Sequence, residues 1–100
     1  MDEHKVIFRE AFLRGLGEIV KSIAVHNPHA ARKLGLVIIQ TAESLSFFPE
    51  RYPRVRQRPG VRRFVAGKHF KVFYRIKPES RTVEILRCWD GRRWTNPAVG

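Results

Sequence analysis

The stretch Val61–Trp94 constrains the fold more than any other part of the sequence. It contains three short runs that are rich in β-branched and aromatic residues. The turn-forming sequences Gly67-Lys68 and Pro78-Glu79-Ser80 separate these runs. Strand-forming runs between such breakers predict a three-stranded antiparallel meander.

The middle run shows which face of this sheet is buried. Apolar and other residues alternate along it, with Val72, Tyr74 and Ile76 in one set and Lys71, Phe73 and Arg75 in the other. Because successive side chains of a strand point to opposite faces, one face can bury while the other shows cations to solvent.

The flanking runs are assigned by the same rule. In the last run, Arg81–Trp89, it places Leu86 and Cys88 in the core, and it places Arg87 and Trp89 on the open face with Arg75. In the first run, Val61–Ala66, both faces carry an apolar residue and an arginine. Alternation therefore leaves open which of Arg62 and Arg63 points outward.

The N-terminal half predicts a short edge strand and then a helix. Val6–Phe8 suits an edge strand beside the meander. Apolar residues then recur at three- and four-residue spacing, namely Phe12, Leu16, Ile19, Val20 and Ile23. Gly15 and Gly17 lie inside this helix and each costs about 1 kcal/mol relative to alanine. We interpret them as positions that let a second helix approach closely.

A second helix is predicted from Asn27, a good N-cap, and Pro28, which suits the first helical position. Its apolar stripe consists of Ala31, Leu34, Ile38, Ala42 and Leu45. Phe47-Phe48-Pro49 ends it, since proline disfavours helical dihedrals in the residue before it. The predicted fold is α+β, with an N-terminal helical hairpin packed on a small antiparallel sheet of three to four strands. We expect one domain over residues 1–100, with residues 95–100 as a frayed tail.

The net charge lies entirely in the second half of the chain. The sequence has 20 lysines and arginines against 9 acidic residues, a formal charge of +11. Residues 1–50 hold equal numbers of basic and acidic side chains, whereas residues 51–100 are strongly basic. The loop Glu50–Gly60 carries four arginines and leads directly into the first basic strand. Such a field favours a polyanionic partner, whether nucleic acid, an acidic protein segment or a membrane surface.

Several function classes are disfavoured. A single cysteine, Cys88, excludes an internal disulfide and fits a reducing compartment. No segment resembles a signal peptide, and the longest apolar run, Leu36–Ile39, is too short to span a bilayer. We expect a cytoplasmic protein without a membrane partner. No spacing of histidine, cysteine or acidic residues suggests a metal site, and no cofactor motif is present.

The candidate target-binding residues form a basic and aromatic set. Its members are Arg62, Arg63, Lys71, Arg75, Arg87, Trp89, Arg92, Arg93 and Trp94. Clustered like charge destabilises a folded protein, which favours a bound partner over a merely solvated face. Trp89 and Trp94 could stack bases between arginines or could cover the edge of the core. His69, at a hairpin tip, could be a general acid or base but is more typical of a plain turn residue.

The sequence resembles the RelE/ParE superfamily, the toxin half of type II toxin–antitoxin modules, from about Val6 to Arg93. The matching segments are Asn27-Pro28 with Ala30-Ala31, Phe48-Pro49-Glu50, Pro59-Gly60-Val61-Arg62-Arg63-Phe64, Val72-Phe73-Tyr74-Arg75-Ile76, and Val83-Glu84-Ile85-Leu86-Arg87 with Gly91-Arg92-Arg93. The resemblance implies a helical hairpin on a small antiparallel sheet. It also implies an antitoxin whose extended, acidic segment wraps the toxin.

The resemblance implies one of two mechanisms. RelE-like members are ribosome-dependent, metal-independent mRNA endoribonucleases, whereas ParE-like members poison DNA gyrase. The nuclease pattern implied by the resemblance is matched by Arg62, by Lys71 and by Arg93, or less well Arg92. Phe64, two positions after Arg62, stands where a second basic residue is expected. The segment 95–100 contains neither the tyrosine nor the histidine that would transfer protons.

These matches favour a growth-arresting toxin that acts on gyrase without nuclease activity. The alternative is a ribosome-dependent endoribonuclease that uses Lys71, Arg93 and His69 on mRNA. A third possibility is a basic nucleic-acid-binding module without toxicity.

Overall fold

The computed structural model describes residues 3–92 of the chain. The elements are β1 (Lys5–Phe8), α1 (Glu10–Ala24), α2 (Pro28–Ser44), β2 (Val61–Ala66), β3 (Phe70–Lys77) and β4 (Thr82–Asp90). The four strands form one sheet in the order β1-β4-β3-β2. The helical hairpin covers one face of this sheet, and this confirms the predicted α+β class. Arg93, Trp94 and the predicted tail at 95–100 lie outside the described residues.

The sheet is mixed, because β1 runs parallel to β4 while the other pairs are antiparallel. The edge strand was predicted, but the expectation of a purely antiparallel sheet was wrong. In this pairing Lys5 lies opposite Thr82, a residue from the far end of the described sequence. Local sequence patterns specify that a strand forms, whereas its direction relative to so distant a partner depends on how the helical hairpin crosses the sheet.

Both predicted helical stripes enter the core. On α1, Phe12, Leu16 and Ile19 are buried, and on α2 the buried residues are Ala31, Ile38, Ala42 and the following Leu45. The side-chain oxygen of Asn27 accepts a hydrogen bond from the backbone N–H of Ala30 at 3.1 Å. This confirms the predicted N-cap.

The interpretation of Gly15 and Gly17 was wrong. A Cβ on Gly15 would lie 2.9 Å from the backbone oxygen of Cys88, so Gly15 lets α1 approach strand β4 rather than α2. A Cβ on Gly17 would meet nothing within 4 Å. The glycine at the interface between the helices is Gly35, where a Cβ would lie 3.4 Å from a methyl group of Val20.

A β-bulge in β4 changes which residues face the core. Phe73 pairs with Arg87, but the next residue, Tyr74, pairs with Ile85, so Leu86 is the extra residue of the bulge. Ile85 is fully buried and Leu86 is only half-buried. The placement of Leu86 in the core was therefore wrong, because the bulge shifts the alternation by one residue. Cys88 is buried as predicted, and burial raises the pKa of its thiol to about 12.

The segment between α2 and β2 is held by hydrogen bonds from three long side chains, Arg51, Tyr74 and Arg62. Arg51 donates hydrogen bonds to the backbone oxygens of Ser44, Phe47 and Phe48, near the C-terminus of α2. The Tyr74 hydroxyl donates to the Pro49 oxygen at 2.6 Å inside the core, and burial raises its pKa to about 12. This bracing holds Phe48 in a left-handed conformation, with φ of 50°.

Arg62 points toward the same segment. One of its terminal nitrogens, Nη1, donates to the backbone oxygens of Glu50 and Tyr52, at 3.1 and 2.7 Å. Arg62 pairs with the core residue Tyr74, whereas Arg63 pairs with Phe73 on the opposite face. Of the two arginines, Arg63 is therefore the one on the open face. Within residues 3–92, neither helix combines the length and apolar composition that crossing a membrane requires.

Candidate functional site

The open face is the side of the sheet that the helices leave uncovered. Its candidate residues come from β2 (Arg63, Val65), β3 (Lys71, Phe73, Arg75) and β4 (Arg87, Trp89). Pairing across the strands arranges them in rows. One row is Arg63–Phe73–Arg87, and the next is Val65–Lys71–Trp89. The sequence prediction that cations and aromatic residues share this face agrees with the register.

Three cations on this face are left without an internal counter-charge. Within residues 3–92, the side chains of Arg63, Lys71 and Arg87 make no ion pair or hydrogen bond with another residue. Arg87 is exposed, and Arg63 and Lys71 are half-buried. A cation that keeps only water as its partner is available for an anionic ligand.

Arg75 differs from these three because Glu84 neutralises it. Arg75 Nε donates to Glu84 Oε1 at 2.7 Å, and Arg9 and Lys77 lie 3.7 and 4.0 Å from the other carboxylate oxygen. The Glu84 side chain is 7% exposed. The hydrogen bond from Arg75 is the main cause that lowers the pKa of Glu84. The carboxylate is thus a firmly ionised anion and a poor acceptor for a proton.

The end of β4 closes against the hairpin tip. The Gly91 N–H donates to the His69 backbone oxygen at 2.6 Å. A Cβ on Gly91 would lie 2.6 Å from that oxygen and 3.4 Å from Lys71 Cε, so only glycine fits between them. Arg92 stacks over the Phe70 ring, with its Cζ atom 5.2 Å from the centroid, and pairs with Asp90 at 2.8 Å. This contact brings Lys71, His69 and Arg92 to one corner of the sheet.

His69 is exposed at this corner, as predicted for a hairpin tip. Its ring lies edge-on to Phe70, with the ring centroids 6.3 Å apart. Phe70 belongs to the core, whereas Lys71 is the next residue and belongs to the open face. His69 thus lies at the same corner as Lys71, with its ring turned edge-on to a core residue.

Two residues of this surface were not singled out from the sequence. Glu84 was counted only as one of the few acids of the second half, and no local pattern indicated its partners, because they lie on other elements. Phe73 was placed on the open face but was not considered as a binding residue. Its alternation with Lys71 and Arg75 was the signal. Arg93 and Trp94, the remaining candidates, lie outside the described residues.

Comparison with known proteins gives one family and several structural relatives. The family model for the ParE toxin of the type II toxin–antitoxin system parDE matches residues 6–94. No curated protein matches the chain.

Three solved structures that resemble this chain come from toxin–antitoxin systems. One is the chromosomal ParDE system of P. aeruginosa, at 20% identity over 90% of this chain and 98% of the other, with a TM-score of 0.76. Another is the RelBE2 complex of Mycobacterium tuberculosis, at 25% identity over 90% and 93%, with a TM-score of 0.66. A third is the archaeal RelE–RelB complex of Pyrococcus horikoshii OT3, at 14% identity over 93% and 99%, with a TM-score of 0.58.

Proposed function

The chain belongs to the ParE family, the toxins of type II toxin–antitoxin systems, and we propose that it arrests growth by poisoning DNA gyrase. The observation that carries the proposal is the ParE family match, which extends over both helices and over every strand except the first residue of β1. Within the RelE/ParE superfamily, the ParE-like members are those that poison gyrase. Gyrase as the target would place the action of this protein in the cytoplasm.

The geometry of the open face supports an action without RNA cleavage. Metal-independent RNA cleavage by the ribose 2′-OH has two requirements. A basic group must accept the proton of the 2′-OH, and cations must stabilise the transition state. Lys71 supplies charge. Among residues 3–92, the acids nearest this face, Glu84 and Asp90, are held by arginines. The imidazole of His69 is exposed, and within residues 3–92 its side chain makes only an edge-on ring contact with Phe70, so no hydrogen bond orients it as a base.

We propose that Arg63, Lys71 and Arg87 form the central contact with gyrase, together with Arg92 and with Arg93 and Trp94, which follow it in the sequence. Arg75 lies on the same face, but Glu84 offsets its charge, so its contribution is smaller. Arg62 donates to loop carbonyls and contributes by holding the segment that precedes β2.

We also propose that a cognate antitoxin with an acidic segment neutralises this toxin. The structural relatives are toxin–antitoxin systems, and the unpaired cations of the open face suit an acidic partner. Binding of such a segment removes repulsion among like charges. The complex should therefore melt at a higher temperature than the toxin alone. A toxin that is harmless on expression and binds no partner encoded beside it would contradict the proposal.

The target is tested with purified gyrase, supercoiled plasmid and ATP, followed by protein denaturation and gel electrophoresis. We expect gyrase-dependent linear DNA in the presence of the toxin, and less of it with Lys71→Ala or Arg93→Ala. Arg14→Ala is the matched control, because Arg14 is an exposed arginine on α1 that pairs with Glu10, away from the open face.

The alternative mechanism is tested on translating ribosomes by primer extension. RelE-like action would give discrete cuts at codon positions, insensitive to EDTA and lost with Lys71→Ala or Arg93→Ala. That result, without gyrase-dependent breaks, would replace the gyrase proposal by the endoribonuclease. Neither breaks nor cuts, with oligonucleotide binding intact, would leave a nucleic-acid-binding module.

A further inference from the structure

Phe73 occupies a position that the core does not explain. It lies on β3, one of the two central strands, and on the open face. Its ring is half-buried, and within residues 3–92 it makes no ring contact with another aromatic side chain. A large apolar side chain that faces away from the core loses the usual benefit of burial.

The neighbours of Phe73 are the unpaired cations described above. Arg63 on β2 and Arg87 on β4 are its direct partners in the register, one on each side. Neighbouring strands are about 4.8 Å apart, so the two arginines flank the ring at close range. Lys71 and Trp89 form a pair in the adjacent row, which brings a second aromatic ring onto the other central strand.

Aromatic rings on the central strands of a sheet, interleaved with unpaired cations, match the requirements of single-stranded nucleic acid. Its bases are free to stack on aromatic rings, and its phosphates pair with arginine or lysine beside them. A duplex hides the base faces inside its own stack, so it would use the cations but not Phe73. An acidic peptide would likewise use the cations and has no bases to stack.

We infer that the open face binds single-stranded DNA, with Phe73 as the stacking platform and Arg63, Lys71 and Arg87 as phosphate contacts. The choice of DNA over RNA depends on the gyrase function proposed above.

Fluorescence anisotropy on the purified full chain, without gyrase, tests this inference. The probe is a labelled oligodeoxythymidine of about twelve nucleotides, within the site sizes known for single strands. We expect it to bind at least tenfold more tightly than a duplex of equal length. Oligouridine of the same length should bind with similar or lower affinity.

Two kinds of variant separate stacking from charge. Phe73→Leu keeps an apolar side chain but removes the ring, and it should weaken binding about tenfold without changing the salt dependence. Phe73→Tyr should restore most of the affinity. Arg63→Ala and Arg87→Ala should each reduce the slope of log affinity against log salt by about 0.7. Arg14→Ala on α1 should change neither quantity, and thermal melts establish that each variant is folded.

The inference is overturned if Phe73→Leu binds like the wild type, or if the duplex binds as tightly as the single strand. Oligouridine binding tenfold tighter than oligodeoxythymidine would assign the face to RNA instead. If oligonucleotide binding fails while gyrase-dependent cleavage persists, the platform is refuted and the gyrase proposal stands. If the oligonucleotide binds but gyrase-dependent DNA cleavage is absent, only the gyrase proposal is contradicted.

Discussion

At the scale of single residues, Glu84 determines which cations of the open face are available to a ligand. It is one of only three acidic residues in the second half of the chain. Its buried carboxylate holds Arg75, with Arg9 and Lys77 nearby, and leaves the cations around Phe73 unpaired. One carboxylate thus divides the basic face into a part in which an arginine is paired and a part whose cations have no acidic partner among residues 3–92.

Glu84→Gln tests this role through stability. We expect a loss of about 1–2 kcal/mol in the free energy of unfolding at pH 7, since the lost bond is charge-assisted but its cationic partners are about half exposed. The folded-state pKa is lowered, so this stabilisation is present above the ordinary glutamate pKa of about 4.3 and disappears as the pH falls through the folded value. Urea unfolding of both proteins from pH 7 to pH 2.5 should therefore show a difference that closes in acid.

Glu10→Gln is the control for this experiment. Glu10 pairs with Arg14 on the surface of α1, and its side chain is 87% exposed. Exposed pairs of this kind contribute about 0.5 kcal/mol or less. A Glu84 effect no larger than the Glu10 effect, or one independent of pH, would contradict the assigned role.

Sequence alone predicted the positions of the cations better than their partners. The alternation of Val72 and Tyr74 with Lys71 and Arg75 placed both basic residues on the open face. The roles of Arg62 and Glu84 were not predictable, because their partners lie ten or more residues away or on another strand. Side-chain pairing of this kind depends on the register of the sheet and on loop positions, which local patterns do not encode.

At the scale of elements, the contact between α1 and β4 depends on Gly15. Gly15→Ala should destabilise the protein, because the new Cβ would lie 2.9 Å from the Cys88 backbone oxygen, and neither backbone can move easily. Gly17→Ala, two residues away in the same helix, should instead stabilise it by about 0.5–1 kcal/mol, since alanine is the better helix former and nothing obstructs it. Denaturant melts of the two variants measure both effects.

The opposite signs are the essential result of this pair. If both substitutions stabilise, α1 is not pressed against β4 at Gly15. If both destabilise, helix propensity does not govern the exposed position.

The elements themselves were predictable to different degrees. Asn27-Pro28 marked the start of α2 correctly, because capping and the proline requirement are local. Leu86 was misplaced because a bulge adds one residue without a sequence signal of its own. The direction of β1 was missed because it depends on the whole path of the chain from Phe8 to Thr82.

At the scale of the whole molecule, the charge is distributed unevenly between the two layers. The helical half is neutral, and the half that contains β2, β3 and β4 carries the formal charge of +11. Repulsion within that half destabilises the folded state, and salt screens it. We therefore expect the melting temperature of the isolated toxin to rise between about 20 and 200 mM sodium chloride.

Calorimetry at the two salt concentrations measures this rise. The Arg63→Gln variant, which removes one unpaired cation, should show a smaller rise. A melting temperature that falls with salt would mean that attractive ion pairs, such as those of Glu84, outweigh the repulsion.

The parallel pairing of β1 with β4 also bears on when the protein becomes dangerous to the cell that makes it. β1 leaves the ribosome before the two helices, and its partner β4 is made more than seventy residues after it. Until Asp90 has cleared the exit tunnel, the nascent chain holds helices and an unpaired first strand but no complete sheet. The basic face is assembled only with that last strand, so a nascent chain whose β4 is still inside the ribosome carries no finished basic face.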